Sequence, residues 1–169
     1  NPHPRIVFGL PPSVGMTSES EYADFELEEE ISPGDFMARL NETLPEALRI
    51  TGAAVKTSKD NIMASVSGAD YELLIFPVKT LPAEDAAKKA GMMLQKDHLI
   101  VCRESRDKSG KITRKEVDIR PLILAAEIEP GAGRRPQGYE DFEEPFLVRA
   151  VFRAGNEENL KPELFIKAL

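Results

Sequence analysis

Runs of alternating apolar and polar residues lie beside one another in this chain instead of being separated one by one by helices, and that ordering restricts the folds open to it. Arg5 to Gly9 is a short β run, closed by the loop Pro11-Pro12-Ser13-Val14-Gly15. In Tyr22 to Glu28, Tyr22 and the acids share one face while Ala23, Phe25 and Leu27 share the other. A period of two is that of a half-buried strand. Leu48 to Val55 reads as a further strand, and Ile62 to Phe76 holds another, interrupted near Ser67-Gly68-Ala69.

Only three segments read as helices. Ser32 is placed to cap the first, Pro33 occupies its first turn, Phe36, Met37, Leu40 and Leu44 make its inward stripe, and Pro45 ends it. The second runs from about Pro82 to Lys96, with small residues (Ala86, Ala87, Ala90) suited to close packing on a sheet. The third starts at Asn159-Leu160-Lys161-Pro162-Glu163. Between the last two, His98–Arg103 and Ile112–Ile119 flank Asp107-Lys108-Ser109-Gly110-Lys111, whose residue types predict a hairpin turn. Leu122–Ile128 and Phe146–Phe152 are strands on either side of a Gly-, Pro- and charge-rich loop, and the last strand is apolar enough to be buried on one face or on both.

Strands grouped with helices in this way predict an α+β fold, not the parallel sheet that strict βαβα alternation would give. The leading architecture is a ferredoxin-like half-sandwich with a mostly antiparallel sheet and a β-rich C-terminal extension. Residues 1–96 form the ββαββα part and 97–169 the hairpin-rich part with the closing helix, the two packed as one unit. A chain of 169 residues needs no covalent staple for its core, and the single Cys102 allows no internal disulfide. Its setting in Leu99-Ile100-Val101-Cys102 predicts a buried, reduced thiol in a reducing compartment, hence a cytoplasmic protein. No apolar stretch has the length of a membrane span. The chain opens without Met and runs directly into a strand, which suggests a piece of a longer polypeptide.

The net charge of −7 argues against a protein that binds nucleic acid over its whole surface. Its distribution is uneven. Glu19 to Glu46 holds ten acidic residues against Arg39 alone, whereas Arg103 to Lys115 holds six basic residues against two acidic ones. The six, Arg103, Arg106, Lys108, Lys111, Arg114 and Lys115, would sit on one β-ribbon, which can lie along a phosphate backbone. They are the candidate RNA-binding residues. A solvated, charged hairpin is the alternative.

Catalytic and metal-binding patterns are missing. The two histidines, His3 and His98, and the one cysteine have no metal-ligand spacing, and no bound cofactor is expected. His98 and Cys102 on one strand would lie about 13 Å apart, too far to act as a dyad. No Gly-rich phosphate loop is present. Glu19, Glu21, Asp24 and Glu26 could supply a general acid and base, or form a charged strand edge that resists aggregation. Asp118 and Arg120, two apart, are expected to share a strand face and pair.

The blocks Asn1–Gly9, Gly15–Asp24 and Leu44–Ile50, with Val117-Asp118-Ile119-Arg120-Pro121 and Leu160-Lys161-Pro162-Glu163-Leu164, resemble an uncharacterised bacterial radical SAM-linked domain family. Here Pro11-Pro12-Ser13 shifts the prolines of the family loop, and Lys161 stands where Arg is usual. The family pattern has a further N-terminal stretch, a strand and an arginine-rich helix, ahead of these blocks. Leu40–Ile50 and Met63–Tyr71 are also similar to a stretch of the tRNA pseudouridine synthases, without the Arg-Thr-Asp motif that carries their catalytic aspartate. The resemblance implies a non-catalytic module working with a radical SAM protein, in cis or in trans. It would position tRNA or rRNA for modification, or dock that partner without touching nucleic acid. Arg5, Ser18, Glu21, Asp24, Asp118 and Arg120, in or beside these blocks, form a candidate functional surface.

Overall fold

A computed structural model describes residues 5–77, 81–107, 109–131 and 133–169. The chain divides into two compact units, Asn1–Ser65 and Val66–Leu169.

In the first unit, β1 (Arg5–Phe8) pairs antiparallel with β2 (Ala23–Glu26), Ile6 facing Phe25 and Val7 facing Asp24. Helix α1 (Pro33–Thr43) begins where the residue types require. Ser32 Oγ accepts the Asp35 amide at 3.1 Å, and Pro33 fills the first turn. Phe36 of α1 meets Phe25 of β2 edge-to-face at 5.2 Å. Leu48–Val55 does not form the expected strand. Asn41, near the end of α1, clamps Ile50 twice: its Nδ2 donates to the Ile50 carbonyl and its Oδ1 accepts the Ile50 amide. Arg49 donates to the Asn41 carbonyl. Backbone groups that a ladder would use are thereby taken. Ile62–Ser65 is a short helix, α2, with Asn61 Oδ1 accepting the Ala64 amide, so the β run expected from Ile62 starts only at Gly68. The buried hydrophobic side chains among the described residues all belong to the second unit.

That second unit is organised around a three-stranded antiparallel sheet of order β3 (Gly68–Ile75), β7 (Phe146–Arg153), β6 (Ile123–Pro130). Central β7 is buried on both faces at Phe146, Leu147 and Val148, then alternates, with Arg149 and Arg153 exposed. Helix α3 (Ala83–Leu94) contributes Ala86 and Ala90 to the core through its small-residue face. Phe152 sits between Tyr71 at 5.2 Å and Phe165 of α4 (Pro162–Ile166) at 4.9 Å, tilted against both rings. The remaining strands, β4 (Ile100–Arg106) and β5 (Ile112–Asp118), form a separate two-stranded ribbon. The protein is thus α+β, with antiparallel sheets and a β-rich C-terminal part.

Cys102 is exposed, not buried. Val101 turns into the core, so Ile100 and Cys102 point to the opposite face of the ribbon, which is solvent-facing.

Candidate nucleic-acid interface

The β4–β5 ribbon is closed by a turn built on one aspartate. Asp107 Oδ1 accepts the Ser109 and Lys111 amides, each at 2.9 Å, and Gly110 takes the positive φ of 84° that the turn needs. The Ser109 hydroxyl bond and the Lys111 amide hold the Asp107 carboxyl below its usual range. With the tip fixed, the register follows, and it sorts the basic residues onto two faces. Arg103 lies directly opposite Lys115, on the face whose root is Val101 and Val117. Arg114 lies opposite Glu104 on the other face and donates to it from Nε at 2.8 Å. Arg106, opposite Ile112, shares the Arg114 face near the tip, and Lys111 follows in the turn. Lys108 lies outside the described residues.

Like charges directly opposed across two strands destabilise the pair, whereas opposite charges stabilise it. In the described ladders Arg5 faces Glu26, Glu72 and Glu127 each face Arg149, and Glu104 faces Arg114. Arg103 opposite Lys115 is the exception. Both side chains are exposed, and neither has an ion-pair partner among the described residues.

At the base of the ribbon, Asp118 does not pair with the Arg120 guanidinium as expected. The strand ends at Asp118, and Arg120 opens a 3-10 turn through Leu122, so the two no longer alternate on one face. Arg120 Nη1 donates to the Ile123 carbonyl instead. Asp118 Oδ1 accepts the Leu99 and Arg120 amides at 2.9 and 3.0 Å, and its Oδ2 lies 2.6 Å from His98 Nδ1. These contacts, the His98 bond first, hold the Asp118 carboxyl down to about 2. The same bond and the negative charge behind it raise the pKa of His98. Residue types alone do not single out this pair, nor does the register, which places Asp118 opposite Ile100; His98 reaches it from two residues before the strand.

The other candidate residues lie in the first unit. Arg5 is paired with Glu26 at 2.5 Å. Asp24 Oδ2 accepts from Lys56 Nζ at 2.6 Å and from the Ile62 amide at 2.8 Å, and these bonds, Lys56 first, depress its pKa. That carboxylate borders an open cleft of about 270 Å³ lined also by Ser58, Asp60 and Ser65. Ser18 Oγ donates to the Ser20 carbonyl, and Glu21 is exposed. The unit carries five cations and eleven carboxylates, a net −6, against 17 and 18, a net −1, in the second unit. No group of three or more His, Cys, Asp or Glu among the described residues is placed to hold a metal ion. No described helix is long and apolar enough to cross a membrane.

Residues 1–162 match the model of the family described as an uncharacterized protein conserved in bacteria, DUF2344. The chain belongs to that family. No curated protein and no solved structure matches it. The match takes in every described strand of this DUF2344 chain, including the ribbon and its opposed cations.

Proposed function

We propose that this DUF2344 protein is a non-catalytic accessory module that binds structured RNA, tRNA or rRNA, through its β4–β5 ribbon, beside a radical SAM protein that carries out the modification. The observation supporting this reading is the Arg103–Lys115 pair. The described ladders balance their other directly opposed charges and leave this one uncompensated. A phosphate between the two cations would supply the missing negative charge and release its own counterions. Lys111 and Arg106 extend the positive tip, while Arg114 is already neutralised by Glu104. The likeness of Leu40–Ile50 and Met63–Tyr71 to tRNA pseudouridine synthases is in keeping with an RNA ligand, and the family resemblance with a radical SAM partner.

Binding of the full chain to labelled tRNA at low salt tests the assignment. Arg103→Gln with Lys115→Gln should weaken it about tenfold or more, with a shallower salt dependence. Arg114→Gln should change it little. Equal losses in the two variants would mean that the ribbon acts only as diffuse charge.

A second reading, docking of the radical SAM protein without RNA, is favoured by the half-exposed Ile6, Phe8, Phe25 and Leu27 of the acidic first unit. It calls for a complex that survives high salt and is lost when Phe8 and Leu27 are replaced by Ser.

A further inference from the structure

The β6–β7 loop, whose sequence reads only as a Gly-, Pro- and charge-rich connection, builds an aromatic surface. Tyr139 stacks on Phe76 at 4.9 Å with 27° between the rings, and Phe142 meets Phe76 at 5.7 Å and Tyr139 at 5.3 Å. Tyr139 is 42% exposed and Phe142 48%. Exposed rings on one loop are a recognition surface when the loop is held in place, because ordering costs are then met before the ligand arrives. Arg135 holds this one. Its Nη1 donates to the Glu140 carbonyl at 2.9 Å and its Nη2 pairs with Glu144 at 3.0 Å. The Tyr139 amide donates to the Pro136 carbonyl, and the Phe142 amide to that of Tyr139.

The charge around the rings selects the ligand. Pro136 to Pro145 contains four carboxylates and no cation. The neighbouring cations are used internally, Arg135 by Glu144 and Arg134 by Glu72. Asp141 and Glu143 are exposed and take part in no ion pair among the described residues. A nucleic acid would be repelled here. A guanidinium suits both halves of the surface, since its plane stacks on a ring while its fork of N–H groups meets a carboxylate. We infer that Tyr139 and Phe142, with Asp141 and Glu143, form a docking surface for an arginine-bearing segment of a partner protein. This surface is independent of the RNA reading of the ribbon.

The test uses the full chain and a fluorescein-labelled peptide of alternating glycine and arginine, with its lysine counterpart. Anisotropy should show tighter binding of the arginine peptide, and the Tyr139 and Phe142 ring resonances should shift on its addition. Tyr139→Leu with Phe142→Leu keeps apolar packing on Phe76 and should weaken binding about tenfold, each exposed cation–π contact being worth roughly two- to fivefold. Asp141→Asn with Glu143→Gln should weaken it about fivefold. Glu42→Gln with Glu46→Gln, on the acidic first unit, should leave it unchanged. Equal affinity for the lysine peptide, unmoved ring resonances, or an equal loss in the Glu42/Glu46 variant would overturn the proposal in favour of unspecific charge attraction.

Discussion

Asp118 Oδ2 and His98 Nδ1 sit 2.6 Å apart at the base of the β4–β5 ribbon, while the other oxygen of Asp118 gathers the amides of Leu99 and Arg120. One carboxylate therefore closes the strand entry on one side and the 3-10 turn on the other. Since His98 has a raised pKa, its share of stability is complete below about pH 6.5, its ordinary value, and is lost as pH rises through the raised one. Asp118 has a lowered pKa, so its share is present above about pH 3.8 and is lost as pH falls toward about 2.

The pair should thus stabilise the ribbon most between about pH 4 and 6.5. Urea midpoints measured from pH 3 to 9 should fall on the alkaline side of that window in the natural protein. The fall should be absent in His98→Gln. An identical profile in the variant would mean that the histidine is a bystander.

The core offers a second check. Phe152 and Phe165 are both fully buried and 4.9 Å apart. Phe152→Ala and Phe165→Ala should each cost about 3–5 kcal/mol in urea unfolding. Because the rings share one contact, the double variant should lose less than the sum. Strict additivity would contradict direct contact between the two rings.

Two glycines should respond in opposite directions. Gly155 has a φ of 135°, and a Cβ there would run into the Val66 carbonyl oxygen. Gly155→Ala should cost about 1–3 kcal/mol. Gly91 lies inside α3, and a methyl group there would meet nothing within 4 Å, so Gly91→Ala should stabilise by about 0.5–1 kcal/mol. Thermal melting of both variants decides the matter.

How much of this is legible in the residues depends on how local the cause is. Ser32, Pro33 and Pro45 announce α1 because capping and proline act within one turn. The hairpin is legible for the same reason, since Asp107 and Gly110 make their own turn. Leu48–Val55 misleads because the β pattern of its side chains says nothing about Asn41, nine residues upstream of Ile50, capturing the backbone. Cys102 misleads because an apolar run does not reveal which face of a ribbon has a second layer over it. For the site, the count of six cations is plain. Their sorting into a neutralised Arg114 and an uncompensated Arg103–Lys115 pair is a property of the register, which emerges only when both strands are aligned. The aromatic surface joins Phe76 to Tyr139 and Phe142 across more than sixty residues of chain, beyond the reach of any local pattern.

The salt dependence of tRNA binding tests the RNA reading most directly. With three or four ribbon cations on phosphates, log K should fall against log salt with a slope of about −2 to −4, and Arg103→Gln with Lys115→Gln should make that slope shallower by nearly 2. Affinity that stays flat from 50 to 200 mM salt, roughly the range over which phosphate contacts lose most of their strength, would contradict an interface made of cations and phosphates.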